Sequence, residues 1–383
     1  EMLTSSDEAS LDVKAIPDDQ RICNCNDVSK GKITLAILQG KCTIGQVGEC
    51  TKAGTGCGSC QATISKLIDS YAPTTEKAPK PKNKIEVMKE ELDGLDVLPR
   101  LHELAKTNDW KTLTEDDKQR MKWTGLFFRK PTPGHFMMRV RFIAGRTNAA
   151  QWRELANLSD EFGKGFADIT TRQQIQLRWF TLGDSPEIWR RLEAVGLHSK
   201  QTGMDSIRGL SSCPVGGYSP HEAFDAYDVC EEYDNAILDN KAYTNLPRKL
   251  NIAITGCLEN CTHTETQDIA LVPAELGGEV GFNALIGGKQ GSGGYKPATP
   301  LDVFVPRDEG AKLALEVTNI FREHGPRELR TRARLYFLLE DKGIKWYRSE
   351  VEKRFGKKLA KAGKDLRTAK HNDHLGIQPQ KPI

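Results

Sequence analysis

The sequence predicts an α+β protein in which a small helical unit rich in cysteine precedes a larger region of mixed strands and helices. Three observations predict this class. Six of the ten cysteines lie between Cys23 and Cys60. A segment rich in Pro and Lys follows at residues 72–82, and its composition is typical of a linker. Beyond residue 130, strand-like and helix-like apolar patterns succeed one another along the chain.

The composition limits the function classes. The 383 residues include 55 Lys and Arg against 52 Asp and Glu, a formal net charge of +3. So balanced a charge argues against a dedicated nucleic-acid-binding protein. No apolar run approaches the ~20 residues of a membrane helix, and no secretory signal pattern is present. We therefore expect a cytoplasmic protein of about two or three domains that binds neither nucleic acid nor membrane.

The N-terminal part of the chain divides into three predicted segments. Residues 1–20 are polar and acidic and are interpreted as a lead-in, and the start at Glu1-Met2 predicts a piece of a longer protein. Residues 21–70 form the cysteine-rich unit, and residues 71–84 form the linker. Within the unit, the apolar spacing predicts helices at residues 30–38 and 61–68.

Four cysteines of this unit form two closely spaced pairs, Cys23-x-Cys25 and Cys57-x-x-Cys60. Four thiolates at two loop corners suit either tetrahedral Zn²⁺ or a [2Fe–2S] cluster. Three glycines around the second pair free the backbone to bend and to aim N–H groups at sulfur. In a long chain without a secretory signal, such cysteines hold metal more often than disulfides, which indicates a reducing compartment. The spacing alone leaves zinc and iron–sulfur both open.

The larger region begins with a charged helical stretch at about residues 85–106. Around residues 138–142, apolar residues alternate with Arg139 and Arg141, so a strand here places both arginines on one face. The elements predicted next are a helix at 152–162, a strand at 174–178 and a capped helix at 184–195. This alternation of strand and helix predicts a ferredoxin-like half-domain.

A second α/β unit is predicted from Gly203 onward. Leu250, Ile252 and Ile254 alternate with polar neighbours, so Lys249 and Asn251 are expected to share one face of a strand. The further elements predicted are strands at 269–272 and 303–305 and helices at 310–324 and 351–359.

The cysteine pairs lie in two recognisable segments. Ile22-Cys23-Asn24-Cys25-Asn26-Asp27-Val28 and Thr51-Lys52-Ala53-Gly54-Thr55-Gly56-Cys57-Gly58-Ser59-Cys60 resemble the [2Fe–2S] domain of the bacterioferritin-associated ferredoxin type. That domain also occurs inside NAD(P)H-dependent nitrite reductases. The resemblance implies a [2Fe–2S] cluster on Cys23, Cys25, Cys57 and Cys60 rather than zinc, and it leaves Cys42 and Cys50 as ordinary thiols.

A second resemblance covers residues 120–360. The segments that carry it are Pro133-Gly134-His135-Phe136-Met137-Met138-Arg139-Val140-Arg141, Thr170-Thr171-Arg172-Gln173, Gly203-Met204-Asp205-Ser206-Ile207-Arg208 and Asn245-Leu246-Pro247-Arg248-Lys249-Leu250-Asn251. In order and spacing they resemble the first half of the sirohaem-containing nitrite and sulfite reductases. The resemblance implies a ferredoxin-like half-domain at 85–200, a sirohaem-binding half-domain at 201–362, and a tail at 363–383 leading to a second half.

The same resemblance implies roles for basic residues. Arg139, Arg208, Lys249 and Asn251 correspond to substrate-facing residues, and Arg139, Arg178, Arg208 and Lys249 correspond to residues that contact sirohaem. The chemistry agrees, because a cofactor rimmed with carboxylates requires fork-shaped arginines. A small oxyanion that loses oxygen as water requires fixed positive charge and proton donors.

The remaining cysteines fit the family pattern less well. Family members bind a [4Fe–4S] cluster through C-x₅-C and C-x₃-C pairs in their second half. Cys257 and Cys261 form a C-x₃-C pair, but Cys213 has no cysteine six positions away on either side. We therefore expect the [4Fe–4S] ligands in a second half outside this chain, and we interpret the C-x₃-C pair as a relic of duplication.

The function expected from these resemblances is assimilatory reduction of nitrite to ammonium at a sirohaem and [4Fe–4S] centre, with electrons entering through the [2Fe–2S] domain. Two alternatives stay open: a sulfite reductase on the same scaffold, and a non-catalytic electron-transfer subunit. Lys249-x-Asn251 favours nitrite, since the sulfite enzymes resembled tend to have two lysines there. The donor is expected to be a flavin and NAD(P)H module or a ferredoxin, and this chain alone is expected not to reduce nitrite.

Overall fold

The computed structural model describes residues 12–56, 58–72, 83–291, 294–368 and 372–382. The chain divides into two compact units, with the boundary between residues 81 and 82. Most of the predicted linker, residues 73–82, lies outside the described residues. The mixed class predicted from the sequence is confirmed, because the two units together contain helices and both a four-stranded and a five-stranded sheet.

The first unit is a small helical domain with one short hairpin. Its elements are β1 (Arg21–Cys23), β2 (Val28–Ser29), α1 (Lys30–Leu38), α2 (Ile44–Thr51) and α3 (Gln61–Tyr71). The prediction missed α2, whose N-terminus is set by the Thr43 hydroxyl accepting from the Gln46 amide at 3.2 Å rather than by an apolar period. Residues 12–20 also belong to this packing, because Val13 is buried in the same apolar core as Ile33 and Ile64.

The second unit opens with three short helices, α4 (Lys84–Glu91), α5 (Leu98–Thr107) and α6 (Glu115–Arg120). The predicted charged helical stretch is therefore interrupted after α4 by a 3₁₀ turn at Gly94–Val97. Packing explains the break, because a Cβ added to Gly94 would stand 2.2 Å from the Trp123 ring. Trp123 itself is buried and donates from its indole to the Thr244 carbonyl at 2.8 Å.

The ferredoxin-like half-domain contains the predicted strands and helices in the predicted order, together with two short strands that the prediction missed, Leu126–Phe128 and Ala167–Ile169. Its elements are β3 (Leu126–Phe128), β4 (Phe136–Val140), α7 (Ala149–Phe162), β5 (Ala167–Ile169), β6 (Ile175–Arg178) and α8 (Ser185–Ala194). The four strands form an antiparallel sheet in the order β3-β4-β6-β5. Asn148 begins α7 through a reciprocal capping box with Gln151, which fixes the chain direction after the sheet.

The second half-domain is built on a five-stranded sheet. Its elements are α9 (Tyr227–Ile237), β7 (Ile252–Ile254), β8 (Ile269–Leu276), β9 (Glu279–Ile286), β10 (Thr299–Pro306), α10 (Gly310–His324), α11 (Leu335–Lys342), α12 (Ile344–Phe355) and β11 (Lys364–Asp365). The strand order is β10-β9-β8-β11, and β7 pairs parallel to β8. The prediction missed β9, β11 and the helices α9 and α11, and it placed α12 at 351–359 instead of Ile344–Phe355. It also began β7 too early, so Lys249 and Asn251 lie just before the strand.

Buried arginines join the two half-domains. The Arg141 guanidinium forms a fully buried ion pair with Asp234 of α9, and it also donates to the Ile207 carbonyl at 3.2 Å. The Arg172 guanidinium donates to the carbonyls of Gly209 at 3.0 Å and Ile252 at 2.7 Å. Because Arg141 and Arg172 come from the ferredoxin-like half and their acceptors from the other, these contacts fix the two halves as one unit.

Replacing Arg141 by Met should lower the free energy of unfolding by about 3–5 kcal/mol, since it leaves the Asp234 carboxylate buried without a partner. Urea titration followed by Trp fluorescence measures this unit alone, because every Trp lies beyond residue 82. The control is Arg190→Met, whose pair with Glu187 is exposed and should contribute less than about 1 kcal/mol. Equal stability of the two variants would contradict the assigned role of the Arg141–Asp234 pair.

Candidate functional site

The cysteines of the first unit lie at the end of a hairpin and at the start of a helix. Cys23 ends β1, Cys25 lies in the turn to β2, and Cys60 immediately precedes α3. Cys23 and Cys60 are buried, whereas Cys25 is exposed. Cys57, the remaining predicted ligand, lies outside the described residues.

Glycines shape the surroundings of these sulfurs as predicted. Gly54 and Gly58 have φ of +80° and +75°, and a Cβ added to Gly56 would stand 3.0 Å from the Cys25 Cβ. The backbone N–H of Gly54 donates to the Cys23 sulfur and lowers the pKa of that thiol, although burial opposes the shift. Backbone donors that stabilise a thiolate in a buried loop fit an iron–sulfur cluster.

The second unit presents a group of cations that we call the cationic face, defined as Arg139, Arg178, Arg208 and Lys249. Sheet pairing brings two of them together, since Arg139 of β4 lies opposite Gln176 and Met137 lies opposite Arg178 of β6. The other two meet by a different pairing, because Ile207 bridges in parallel to Leu250. Arg208 follows Ile207 and Lys249 precedes Leu250, so these two side chains lie diagonally on one face, where the charge of Arg208 lowers the pKa of Lys249.

Arg139 and Arg208 are held by carbonyl oxygens of one turn. Arg139 donates to the Thr202 carbonyl at 3.0 Å, and Arg208 donates to the carbonyls of Thr202 and, at 3.0 Å, Met204. Gln201 and Met204 adopt φ of 56° and 51°, and this left-handed backbone turns the carbonyls toward the guanidinium groups. In the described ranges neither arginine has a carboxylate partner, and the buried Nε of Arg139 has no acceptor.

Lys249 and Asn251 are positioned by the start of β7. The Asn251 backbone N–H donates to Asp268 at 2.8 Å, and Asp268 is also held by Arg334 at 2.7 Å. The Lys249 ammonium has neither a hydrogen-bond acceptor nor an ion-pair partner among the residues that the structure describes. Burial, together with the charges of Arg334 and Arg208, lowers the pKa of Lys249 to about 8. An uncompensated, partly buried ammonium is a favourable place for a bound anion.

Arg178 differs from the other members of the cationic face. Its guanidinium forms an ion pair with Asp168 of β5 and donates to the Gln176 side chain at 2.8 Å. A cofactor carboxylate at this position would therefore compete with Asp168. The contact between Arg178 and a sirohaem carboxylate stays a prediction.

Sequence reasoning missed a buried carboxylate that organises the cations. Asp205 is fully buried and accepts two hydrogen bonds from Arg330, at 2.7 and 2.8 Å. Lys89 and Arg248 approach the same carboxylate at 3.5 Å. The signal was present, because Asp205 lies in the segment Gly203-Met204-Asp205-Ser206-Ile207-Arg208. Three cations, Lys89, Arg248 and Arg330, surround this single carboxylate. Burial, together with the charge of Arg139, lowers the pKa of the nearby Arg208 to about 9. These features fit an anionic cofactor and an anionic substrate.

Three cysteines that the sequence spacing did not predict as one group lie close together in the structure. The sulfurs of Cys213, Cys257 and Cys261 and a ring nitrogen of His374 all lie within 4.8 Å of one another. The C-x₃-C pair therefore lies in a group of four side chains that could hold a metal ion, an arrangement that its interpretation as a relic did not anticipate. Hydrogen bonds from the Cys213 and Cys261 thiols lower the pKa of the Cys257 thiol, so this thiol ionises most readily.

The chain combines a cysteine-rich unit with a unit in which Arg139, Arg208 and Lys249 are partly buried and have no carboxylate partner in the described ranges. This combination indicates an iron–sulfur protein that binds anions. Comparison with protein families gives three matches. Residues 21–70 match the BFD-like [2Fe-2S] binding domain, residues 128–195 the nitrite/sulfite reductase ferredoxin-like half domain, and residues 203–359 the nitrite and sulphite reductase 4Fe-4S domain. The chain belongs to the nitrite and sulfite reductase family and carries an N-terminal BFD-like domain.

Curated relatives and a solved structure agree with this assignment. The chain is 39% identical over 315 residues to the ferredoxin–nitrite reductase of Synechococcus elongatus, covering 80% of this chain and 60% of that protein. It is 34% identical over 330 residues to the assimilatory ferredoxin-dependent nitrite reductase of Haloferax mediterranei, covering 78% and 56%. The NirA protein of Mycobacterium tuberculosis superposes with a TM-score of 0.73 at 29% identity, covering 80% and 59%. The chain thus spans about 60% of the length of these relatives.

The family implies three cofactors: [2Fe–2S], sirohaem and [4Fe–4S]. The described residues fit the first two. Backbone N–H groups donate to the buried Cys23 sulfur, and Arg139, Arg208 and Lys249 have no carboxylate partner in the described ranges. No described helix has the length and apolar character that a membrane-crossing helix requires.

Proposed function

We propose that this chain forms part of an assimilatory nitrite reductase, which reduces nitrite to ammonium with six electrons and releases both oxygens as water. One observation carries the proposal: Arg139, Arg208 and Lys249 lie together, partly buried, and have no carboxylate partner in the described part of the chain. Burying unpaired cations costs free energy, and a bound anion offsets that cost. The names of the curated relatives support nitrite as that anion.

The residues of the cationic face would act by charge and by proton donation. Arg139 and Arg208 would hold the carboxylates of sirohaem or the oxygens of nitrite, since each guanidinium keeps N–H groups beyond those bound to carbonyls. When bound, sirohaem supplies the iron centre through which electrons reach the substrate. Lys249, with a pKa of about 8, is suited to donate a proton from Nζ to a departing oxygen near neutral pH. Asn251 lies beside it as a neutral hydrogen-bond donor.

Electrons would enter through the first unit, where Cys23, Cys25, Cys57 and Cys60 hold the [2Fe–2S] cluster. Such a cluster passes electrons one at a time, as a multi-electron centre requires. The two curated relatives named above have ferredoxin in their names, which supports a ferredoxin-type donor over a flavin and NAD(P)H module. We also propose that the [4Fe–4S] ligands lie in a second half outside this chain.

The proposal is tested with the protein expressed from its complete reading frame and reduced by methyl viologen. We expect nitrite-dependent oxidation of the dye with one ammonium formed for every six electrons. Sulfite should be the poorer substrate. Preferential formation of sulfide would favour the sulfite reductase alternative, and a protein without sirohaem absorption would favour the electron-transfer subunit.

Replacing Cys23 or Cys60 by Ser should remove the visible absorption of the [2Fe–2S] cluster and about two irons per chain. Iron and acid-labile sulfide are measured after anaerobic purification. The matched control is Cys42→Ser, which changes an exposed thiol and should leave the iron content unchanged. If Cys23→Ser removed zinc rather than iron, the assignment of a [2Fe–2S] cluster would be wrong.

Replacing Lys249 by Ala should lower kcat/KM for nitrite by about 10²–10³-fold, as removal of an oxyanion donor does. In the unaltered protein, kcat/KM should fall as pH rises through about 8, because Lys249 is charged below its pKa and neutral above it. In Lys249→Arg this alkaline limb should move to higher pH, since guanidinium stays charged. Lys345→Ala, at an exposed helix position, is the control. An unchanged alkaline limb in Lys249→Arg would contradict the role of this ammonium.

Replacing Asn251 by Lys should raise the ratio of sulfite to nitrite kcat/KM by about tenfold, since a second ammonium favours the dianion over the monoanion. Steady-state rates with both substrates measure the ratio. Asn157→Lys adds the same charge at an exposed position of α7 and should leave the ratio unchanged. A ratio that stays constant in Asn251→Lys would show that this residue does not set the preference.

A further inference from the structure

The structure assigns a second metal site, separate from the [2Fe–2S] unit, to Cys213, Cys257, Cys261 and His374. We propose that these four residues bind a single zinc ion in tetrahedral geometry. Three of them are buried and Cys261 is partly buried. Three thiolates and one imidazole are a common ligand set of structural zinc. The inference does not depend on the proposed function.

The separation of the donor atoms fits one ion. With bonds of about 2.0–2.3 Å, the donors of a tetrahedral zinc site stand about 3.3–3.8 Å apart. The four donor atoms here all lie within 4.8 Å of one another, and the Cys257 sulfur lies 3.4 Å from the His374 Nε2. A cluster of four irons would need wider spacing, because each protein ligand binds a different outer corner. The set is therefore too compact for [4Fe–4S] and close to the size for zinc.

A further contact on His374 supports a ligand role. Its Nε2 faces Cys257, while its Nδ1 lies 3.6 Å from the Glu259 carboxylate. A histidine between a metal and a carboxylate is the usual arrangement at zinc sites, since the carboxylate fixes the ring orientation and raises its basicity. Glu259 is itself buried and oriented by the Asn372 side chain at 3.0 Å. Its backbone N–H also donates to the Cys257 sulfur at 3.3 Å.

Hydrogen bonds also hold the backbone around the other ligands in position. The Gln173 side chain makes two hydrogen bonds to the backbone of Ser212, at 2.8 and 3.1 Å, and so positions the adjacent Cys213. On the opposite side, the Thr368 N–H donates to the Leu258 carbonyl at 2.7 Å. Cys213 also lines a cleft of about 610 Å³ that opens to solvent.

The site would join three stretches of chain that are far apart in sequence. Cys213 follows the turn that carries Arg208, Cys257 follows β7, and His374 comes from the C-terminal segment. A zinc ion here would fix the end of the strand whose start presents Lys249 and Asn251. It would also hold residues 372–374 against the loop after β7. The expected role is structural, because all four ligand positions are filled by protein.

Metal analysis of the full chain, expressed with both iron and zinc supplied, tests the proposal. We expect about one zinc per chain in addition to the iron of the first unit. Cys257→Ser and His374→Gln should each lose this zinc and keep the iron. The matched controls are Cys50→Ser and His324→Gln, at exposed positions, which should keep both metals. Loss of about four irons with labile sulfide in Cys257→Ser would overturn the proposal in favour of a cluster.

Two measurements keep the test decisive if the ligand variants fold poorly. Replacing zinc by cobalt(II) in the unaltered chain should give the intense visible bands of tetrahedral thiolate coordination. Weak octahedral bands, or a disulfide among the three cysteines by thiol titration, would refute the site.

Glu259→Gln should keep the zinc but weaken its binding by about 10–100-fold against a chromophoric chelator. An unchanged affinity would exclude the positioning role of Glu259.

Discussion

The loop at residues 201–208 provides the interaction on which the second unit depends. Its carbonyl oxygens accept from the guanidinium groups of Arg139, Arg141 and Arg208, and its single carboxylate, Asp205, accepts from Arg330. These arginines come from the ferredoxin-like half, from the loop itself and from the helical part of the other half. One loop therefore satisfies donors from both half-domains. Without it, the same side chains would be buried with their N–H groups unpaired.

Carbonyl oxygens and carboxylates have different consequences for such cations. A carbonyl satisfies the hydrogen-bond geometry of a guanidinium but leaves most of its charge uncompensated. A carboxylate, as in the Arg141–Asp234 pair, removes the charge as well. Arg139 and Arg208 are of the first kind. Burial lowers the pKa of both groups, and the charge of a neighbouring arginine adds to the shift. The fold thus holds these side chains rigidly while keeping their attraction for an anion, which is the condition for a preorganised electrostatic site.

The sequence predicted the local features of this site and missed the distant ones. The alternation of apolar residues predicted the strand that carries Arg139, and the helical spacing predicted α10 with its observed ends. Both patterns repeat within a single element, so the local sequence is enough to predict them. Arg208 lies near Lys249 because of a bridge between Ile207 and Leu250. A contact between two distant segments leaves no periodic pattern in the sequence. For the same reason the sequence did not predict His374 as the fourth donor of the proposed zinc site, because it lies 117 residues from Cys257. The resemblance to known reductases supplied Lys249 and Asn251, whose polarity before a buried strand has no local explanation.

The two cysteine sites show how the surroundings of sulfur distinguish electron transfer from structural support. Around Cys23, the donors are the backbone N–H groups of Gly54, Asn26 and Cys25, and these stabilise added negative charge on a reduced cluster. Around Cys257, a buried carboxylate stands behind the histidine at 3.6 Å. This arrangement makes the imidazole a better ligand for a dication and brings negative charge close to the metal. Glu259 would oppose the further negative charge that reduction adds to an iron–sulfur cluster. The electrostatics of the second site therefore favour a metal that does not change its oxidation state, and zinc is such a metal.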